Sequence, residues 1–137
     1  MGLTYEVIVK DIDESYPEQF RREDIAMFLA RKKALAYKTD VASGGIVVTA
    51  DTIVALDELI IGKPADKNEA FRILKLMSGR KHSVITGVCI MSAKKSESFF
   101  VKTEVSVKML RDNEIEYYLE TENPVDKAGA YGIQDWI

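Results

Sequence analysis

Cysteine, histidine and tryptophan occur once each in the 137 residues, and proline only three times. One cysteine and one histidine cannot supply the ligands of a Cys/His zinc site. The lone thiol, Cys89 in the apolar run VITGVCIM, has no partner for an internal disulfide. It fits a reducing compartment and reads as a small buried hydrophobe. A Ser-His-Asp triad would rest on His82 alone, with no nucleophile elbow around it. His82, between Lys81 and Ser83 at a strand start, reads as a surface or hydrogen-bonding residue. Neither G-x-x-x-x-G-K-[ST] nor G-x-G-x-x-G occurs, so the phosphate loop of nucleotide triphosphatases and the dinucleotide fold lack support. No apolar run approaches about 18 residues, so no membrane span is expected. The start, MGLTYEVIVKDIDE, has no basic segment or small-residue cleavage site. The expectation is a soluble cytoplasmic protein. An excess of one charge is missing too: 19 Lys+Arg against 22 Asp+Glu leave a net −3. That balance argues against a nucleic-acid surface held by bulk electrostatics, but a small phosphorylated ligand needs only a few placed cations.

What the chain does have is a composition of 47% hydrophobic and 30% charged residues, ordinary for a folded domain. Its length suits one domain spanning residues 1–137. Leu3 to Val9 predicts a strand, followed by the acidic turn KDIDESYPEQ. Glu23 to Tyr37 predicts a helix with Ile25, Phe28, Leu29 and Ala36 on one face, and Lys33 projects into that apolar arc. Such a lysine either snorkels outward or meets a phosphate. Gly44-Gly45 turns into a strand from Ile46, and DELIIG reads as a hairpin return. Asp66 and Glu69 form a capping box before a helix with Ala70, Ile73, Leu74 and Met77 inward, closed by Gly79. HSVITGVCIMS and SFFVKTEVSVKML predict two long antiparallel strands, and Asp112 or Asn113 is expected to cap a short helix. The last segment, ENPVDKAGAYGIQDWI, reads as a loop. Strands and helices mixed in one domain give an α/β or α+β fold.

Asp51 is the conspicuous residue, because it interrupts the apolar run IVVTADTIVALDELIIGKP. A carboxylate there is costly unless paired, hydrogen-bonded or set on a cation, so it is either a satisfied structural residue or a working one. Asp11, Asp13 and Glu14 cluster after the first predicted strand, and Lys33, Lys63 and Lys127 stand near turns or on an apolar face. Carboxylates on Mg²⁺ with lysines against phosphate oxygens are a minimal kit for hydrolysing a phosphoanhydride. The start VIVKDIDES is similar to the D-x-D-x-[TS] of haloacid-dehalogenase-type phosphatases. That family's acidic pair at a later strand tip has no counterpart in SVITGVCIMS, so it is rejected as the first choice.

Taken in order, YEVIVKDIDE, FLARKKALAY, VVTADTIVALDELIIGKPADKNEAFRILKLMSGRKHSVITGV and NPVDKAGAYGIQ resemble the Maf family of nucleotide pyrophosphatases across nearly the whole chain. The resemblance implies an elongated mixed β-sheet with flanking helices around a central cleft, similar to inosine triphosphatases. It implies hydrolysis of a nucleoside triphosphate to monophosphate and pyrophosphate with Mg²⁺ or Mn²⁺, and frequently a homodimer. On this sequence it makes Asp51 the catalytic base, also touching the metal, and Asp13 the metal partner. Lys33 and Lys63 become the phosphate-binding lysines, and Thr52 and Gln134 the readers of the base. Asp-Thr and Gly-Ile-Gln are similar to the subgroup acting on dTTP and UTP. The family's S-x-S-x-R-R loop and its G-L-P strands do not occur in the chain, which implies a domain lacking both terminal pieces. A non-catalytic nucleotide-binding remnant, or an inactive fragment, is the alternative expectation.

Overall fold

Helix α1, Arg22–Leu35, lies with its small and branched residues Ile25, Ala26, Leu29, Ala30 and Ala34 buried against a sheet. A computed structural model describes residue 2 and residues 4–137. After α1 come the short helix α2 (Lys38–Ala42), the strands β1 (Val47–Leu56) and β2 (Leu59–Ile61), and helix α3 (Lys67–Met77). Strands β3 (Lys81–Met91) and β4 (Ser96–Ser106) and helix α4 (Asp112–Thr121) follow, with two 3-10 turns at Pro124–Asp126 and Ala128–Ala130. The sheet order is β2-β1-β3-β4. The expected α+β class stands. All three strand pairings among the described residues are antiparallel, where a mixed sheet was expected. Connections such as Asp57-Glu58 and the turn after Met91 are too short for the crossover that parallel neighbours need.

Side chains alternate across the sheet, so each face has its own core. On one face Ile53 and Ile85 pack against Ile25, Ala26 and Leu29 of α1, and Cys89 and Met91 against Ala30 and Ala34. On the other, Val54 and Leu56 meet Ala70, Leu74 and Met77 of α3 and Ile115, Tyr118 and Leu119 of α4. Half of the capping box before α3 is present: Glu69 N–H donates to Asp66 Oδ1 at 2.8 Å, but the Glu69 carboxylate accepts from Ala65 N–H at 2.7 Å, one residue before the cap. Gly79 ends that helix with φ 71°.

Three expectations need correcting. Residues 4–9 carry no strand, and Leu3 lies outside the described residues. The apolar alternation is there, but this segment is held by the helices instead of a strand. Tyr37 Oη donates to the Ile8 carbonyl at 2.6 Å, and Lys10 Nζ lies 3.1 Å from Asp40. Ala36 is exposed, because α1 has ended and Ala36 caps it. Asp112 is the first residue of α4 and not its cap: the cap is Arg111, whose N–H donates to Glu114 at 2.9 Å.

Candidate active site

β1 carries Asp51 into register opposite Gly87 of β3. A Cβ on Gly87 would sit 2.3 Å from the Ala26 carbonyl oxygen, so the α1 backbone rests directly on the strand there. That close approach aims the far half of α1 at the sheet. Lys33, seven residues on from Ala26 and so on the same stripe, places its ammonium 2.5 Å from Asp51 Oδ1. The same Nζ lies 2.9 Å from Glu14 Oε1. The Asp51 side chain is only 9% exposed. The carboxylate inside an apolar strand is therefore paired, and its partner is the lysine on the buried stripe.

The two acids sit in different environments. Burial pushes the Asp51 carboxyl above its ordinary value, with Lys33 pulling the other way and the Glu14 charge adding to the rise. Glu14 is shifted down, chiefly by its hydrogen bond from Lys33. Burial alone would lower Lys33, but the hydrogen bonds to Asp51 and Glu14 outweigh it and hold the ammonium above its usual range.

A cleft of ≈ 790 Å³ opens over this triad. Glu14, Lys33, Asp51 and Lys63 are its charged residues around Asp51, while Thr52 faces the opposite side of the sheet, the side of Val54. Three residues along β1, Val54 joins Val84, Val105, Tyr131 and Ile133 in an apolar part. Thr52 Oγ1 is 2.8 Å from Thr86 Oγ1 across the β1–β3 pair. Lys127 also lines the cleft, 3.8 Å from Asp135.

The structure thus gathers Asp51, Lys33, Lys63 and Thr52 in one place. Two of the expected site residues stand elsewhere. Asp13 accepts from Lys32 at 2.8 Å and from the Ser15 hydroxyl, and these hydrogen bonds bring its carboxyl down to about 2. Glu14, not Asp13, is the acid that reaches the Asp51–Lys33 pair. Asp13 folds over an Asx-type turn, accepting from Ser15 N–H at 3.1 Å, and meets Lys32, while Glu14 meets Lys33. Sequence alone places both in the acidic cluster and gives no sign of which one turns inward. Gln134 is exposed in the turn after Ile133 and does not line the cleft. That turn is closed by Asp135, whose carboxylate accepts from Gly132 N–H at 2.8 Å and from Tyr118 Oη at 2.5 Å. Tyr131 is the lining residue whose role the sequence left unassigned. His82 bonds Tyr131 but is buried, so the hydrogen-bonding reading stands and the surface reading does not.

Glu14 and Asp51 are hard oxygen donors converging on one cation, the Lys33 ammonium. Mg²⁺ and Mn²⁺ suit such a pair when substrate phosphates complete the shell. Among the described residues no group of three or more His, Cys, Asp or Glu side chains is placed to hold a metal. Among the same residues no helix is long and apolar enough to cross a membrane.

The family model described as "Maf-like protein" matches residues 1–137. A protein of Parabacteroides distasonis named "dTTP/UTP pyrophosphatase" is 46% identical over 138 residues, covering 100% of this chain and 72% of the relative. A protein of the same name in Phocaeicola vulgatus is 43% identical over 138 residues, with the same coverage. Another, in Porphyromonas gingivalis, is 46% identical over 129 residues, covering 93% of this chain and 65% of the relative. A model matched from end to end, on a chain whose cleft collects the acid and lysines that the motifs predict, makes this protein a member of the Maf family.

Proposed function

We propose that this chain hydrolyses a nucleoside triphosphate, dTTP or UTP in preference, to the monophosphate and pyrophosphate. The observation that carries the reading is the Glu14–Lys33–Asp51 triad at the charged part of a nucleotide-sized cleft. The names of the relatives, dTTP/UTP pyrophosphatase, support the substrate class.

Asp51 is the general base. Its burial disfavours the carboxylate, which makes it a better proton acceptor than an exposed aspartate. A water held by Asp51 attacks the α-phosphorus, its proton passes to Asp51, and the bond to the bridging oxygen of the β-phosphate breaks. Lys33 releases its hold on the acids as phosphate oxygens arrive, and with Lys63 offsets the charge of the departing pyrophosphate. Glu14 and Asp51 would hold Mg²⁺ or Mn²⁺, which when bound polarises phosphate oxygens as a Lewis acid. Asp13 drops out of the metal role because Lys32 and Ser15 occupy its oxygens. Val54, Val84, Val105, Tyr131 and Ile133 receive the sugar and base, with Thr52 as the base reader; Gln134, exposed and outside the cleft lining, drops out of that role. A homodimer in a reducing cytoplasm completes the reading, supported by the lone buried thiol and by the apolar side chains exposed on the sheet.

The test is pyrophosphate release from a panel of triphosphates with Mg²⁺ or Mn²⁺, beside Asp51→Asn. Release from dTTP or UTP that the variant abolishes is the expected result. A folded wild type that binds triphosphate without releasing pyrophosphate would instead make the chain a nucleotide-binding protein.

A further inference from the structure

His82 is a buried titratable residue that the chemistry above leaves unused. It stands near the start of β3 with 2% of its surface exposed. Its Nε2 is 2.7 Å from Tyr131 Oη, and the two rings meet edge to face at 5.5 Å and 80°. Its Nδ1 is buried with no hydrogen-bond partner. A phenylalanine would fill the same space without an orphaned nitrogen, so packing alone does not account for a histidine here. What an imidazole adds is a direction: it fixes where the phenol of Tyr131 points.

That direction needs fixing. Tyr131 follows two residues in left-handed backbone, Gly129 at φ 77° and Ala130 at φ 58°. For alanine this region is strained and persists only when its surroundings enforce it. The Gly129 N–H donates to the Gly62 carbonyl at 3.2 Å, one residue before Lys63. The loop is therefore pinned twice, once to the lysine turn and once, through the tyrosine, to β3.

We infer that His82 is a positioning residue for nucleotide binding: by holding Tyr131 Oη it sets the tyrosine ring as a fixed wall of the apolar part of the cleft, where the sugar and base sit. His82 does not itself line the cleft. The inference rests on the proposed nucleotide substrate and deepens it, because it assigns the tyrosine wall to the base-bearing half and not to the phosphates.

The test compares wild type, His82→Phe, His82→Gln and Tyr131→Phe, each checked by thermal melting. KM and kcat are read for UTP and dTTP, and inhibition by inorganic tripolyphosphate, which has phosphates but no base. Loss of one orienting hydrogen bond should raise KM for the nucleotides up to about tenfold. The inhibition constant of tripolyphosphate should stay within about twofold, and kcat should change far less than KM. Glutamine, whose amide nitrogen can reach the phenol, should recover part of the loss. The double variant His82→Phe/Tyr131→Phe should be no worse than the more damaged single one. Nucleotide KM unchanged in folded His82→Phe and His82→Gln overturns the inference. An equal loss for nucleotide and tripolyphosphate also overturns it, since that is the mark of a general loosening. If wild type binds UTP without turnover, the same split read in dissociation constants supports the inference while the pyrophosphatase reading alone falls.

Discussion

At the scale of the residue, the site depends on one lysine shared by two carboxylates in unlike environments. Asp51 must be ionised to accept a proton, and burial moves its ionisation above the ordinary carboxylate range. Activity should therefore fall on the acid side as pH drops through that raised value. Because the Glu14 charge helps raise it, Glu14→Gln should shift the acid limb of kcat/KM to lower pH, even as the rate itself drops. A limb that stays in place or moves up in a pH–rate profile would contradict this origin. Stability runs in opposite senses for the two acids. The depressed Glu14 contributes stability that is present above its unfolded value and lost as pH falls through its folded one. The raised Asp51 detracts from stability above its folded value, and that cost disappears on protonation. Asp51 was legible in sequence because a charged side chain inside an apolar strand is rare. The choice between Asp13 and Glu14 was not, since it depends on how the turn at Asp13–Ser15 presents each side chain to α1.

At the scale of the element, the approach of α1 to β3 governs where Lys33 ends up. Gly87 permits it, and the clash of an added methyl would be with backbone, which cannot rotate away. Gly87→Ala should destabilise the fold by about 1–3 kcal/mol. It should also lower activity at temperatures where the chain is still folded, because α1 carries Lys33. Urea denaturation alongside pyrophosphate release checks both, and an unchanged midpoint with full activity would refute the account. Helices α1 and α3 and the β1–β2 hairpin were readable because periodicity, a capping box and a two-residue turn are local signals. Residues 4–9 show the limit. Their alternation is strand-like, yet a strand exists only where another backbone pairs with it, and here Tyr37 Oη donates to the Ile8 carbonyl while the following Lys10 donates its own side chain to the Ala36 carbonyl.

At the scale of the whole molecule, the sheet leaves apolar side chains in solvent. Val48, Ile90, Phe99 and Val101 are all exposed, and the register places them on one face, opposite that covered by α1. Contiguous apolar surface of this kind marks an association site, which supports the proposed homodimer. Sedimentation velocity should give a species of twice 15.4 kDa, and Phe99→Lys with Val101→Lys should return it to a monomer. A monomer at all accessible concentrations would remove the dimer from the reading. Which face stays open could not be read from the sequence, because β3 is apolar on both sides, and the alternation of β4, Phe99 and Val101 against Ser98 and Lys102, would mark as covered the face that is open.

The shared lysine has a consequence for traffic into the cleft. Lys33 and Lys63 stand with Glu14 and Asp51, and Lys127 has Asp135 at 3.8 Å beside it, so the mouth is electrically near balance before any ligand arrives. A balanced mouth casts no long-range field, and a bare polyanion drifting past is neither drawn in nor repelled. Admission is then decided at contact, by whether the newcomer carries enough positive charge of its own to replace the ammonium that the two acids give up. Such an entrance ignores the many free phosphates of a crowded solution and changes its capture rate little with ionic strength.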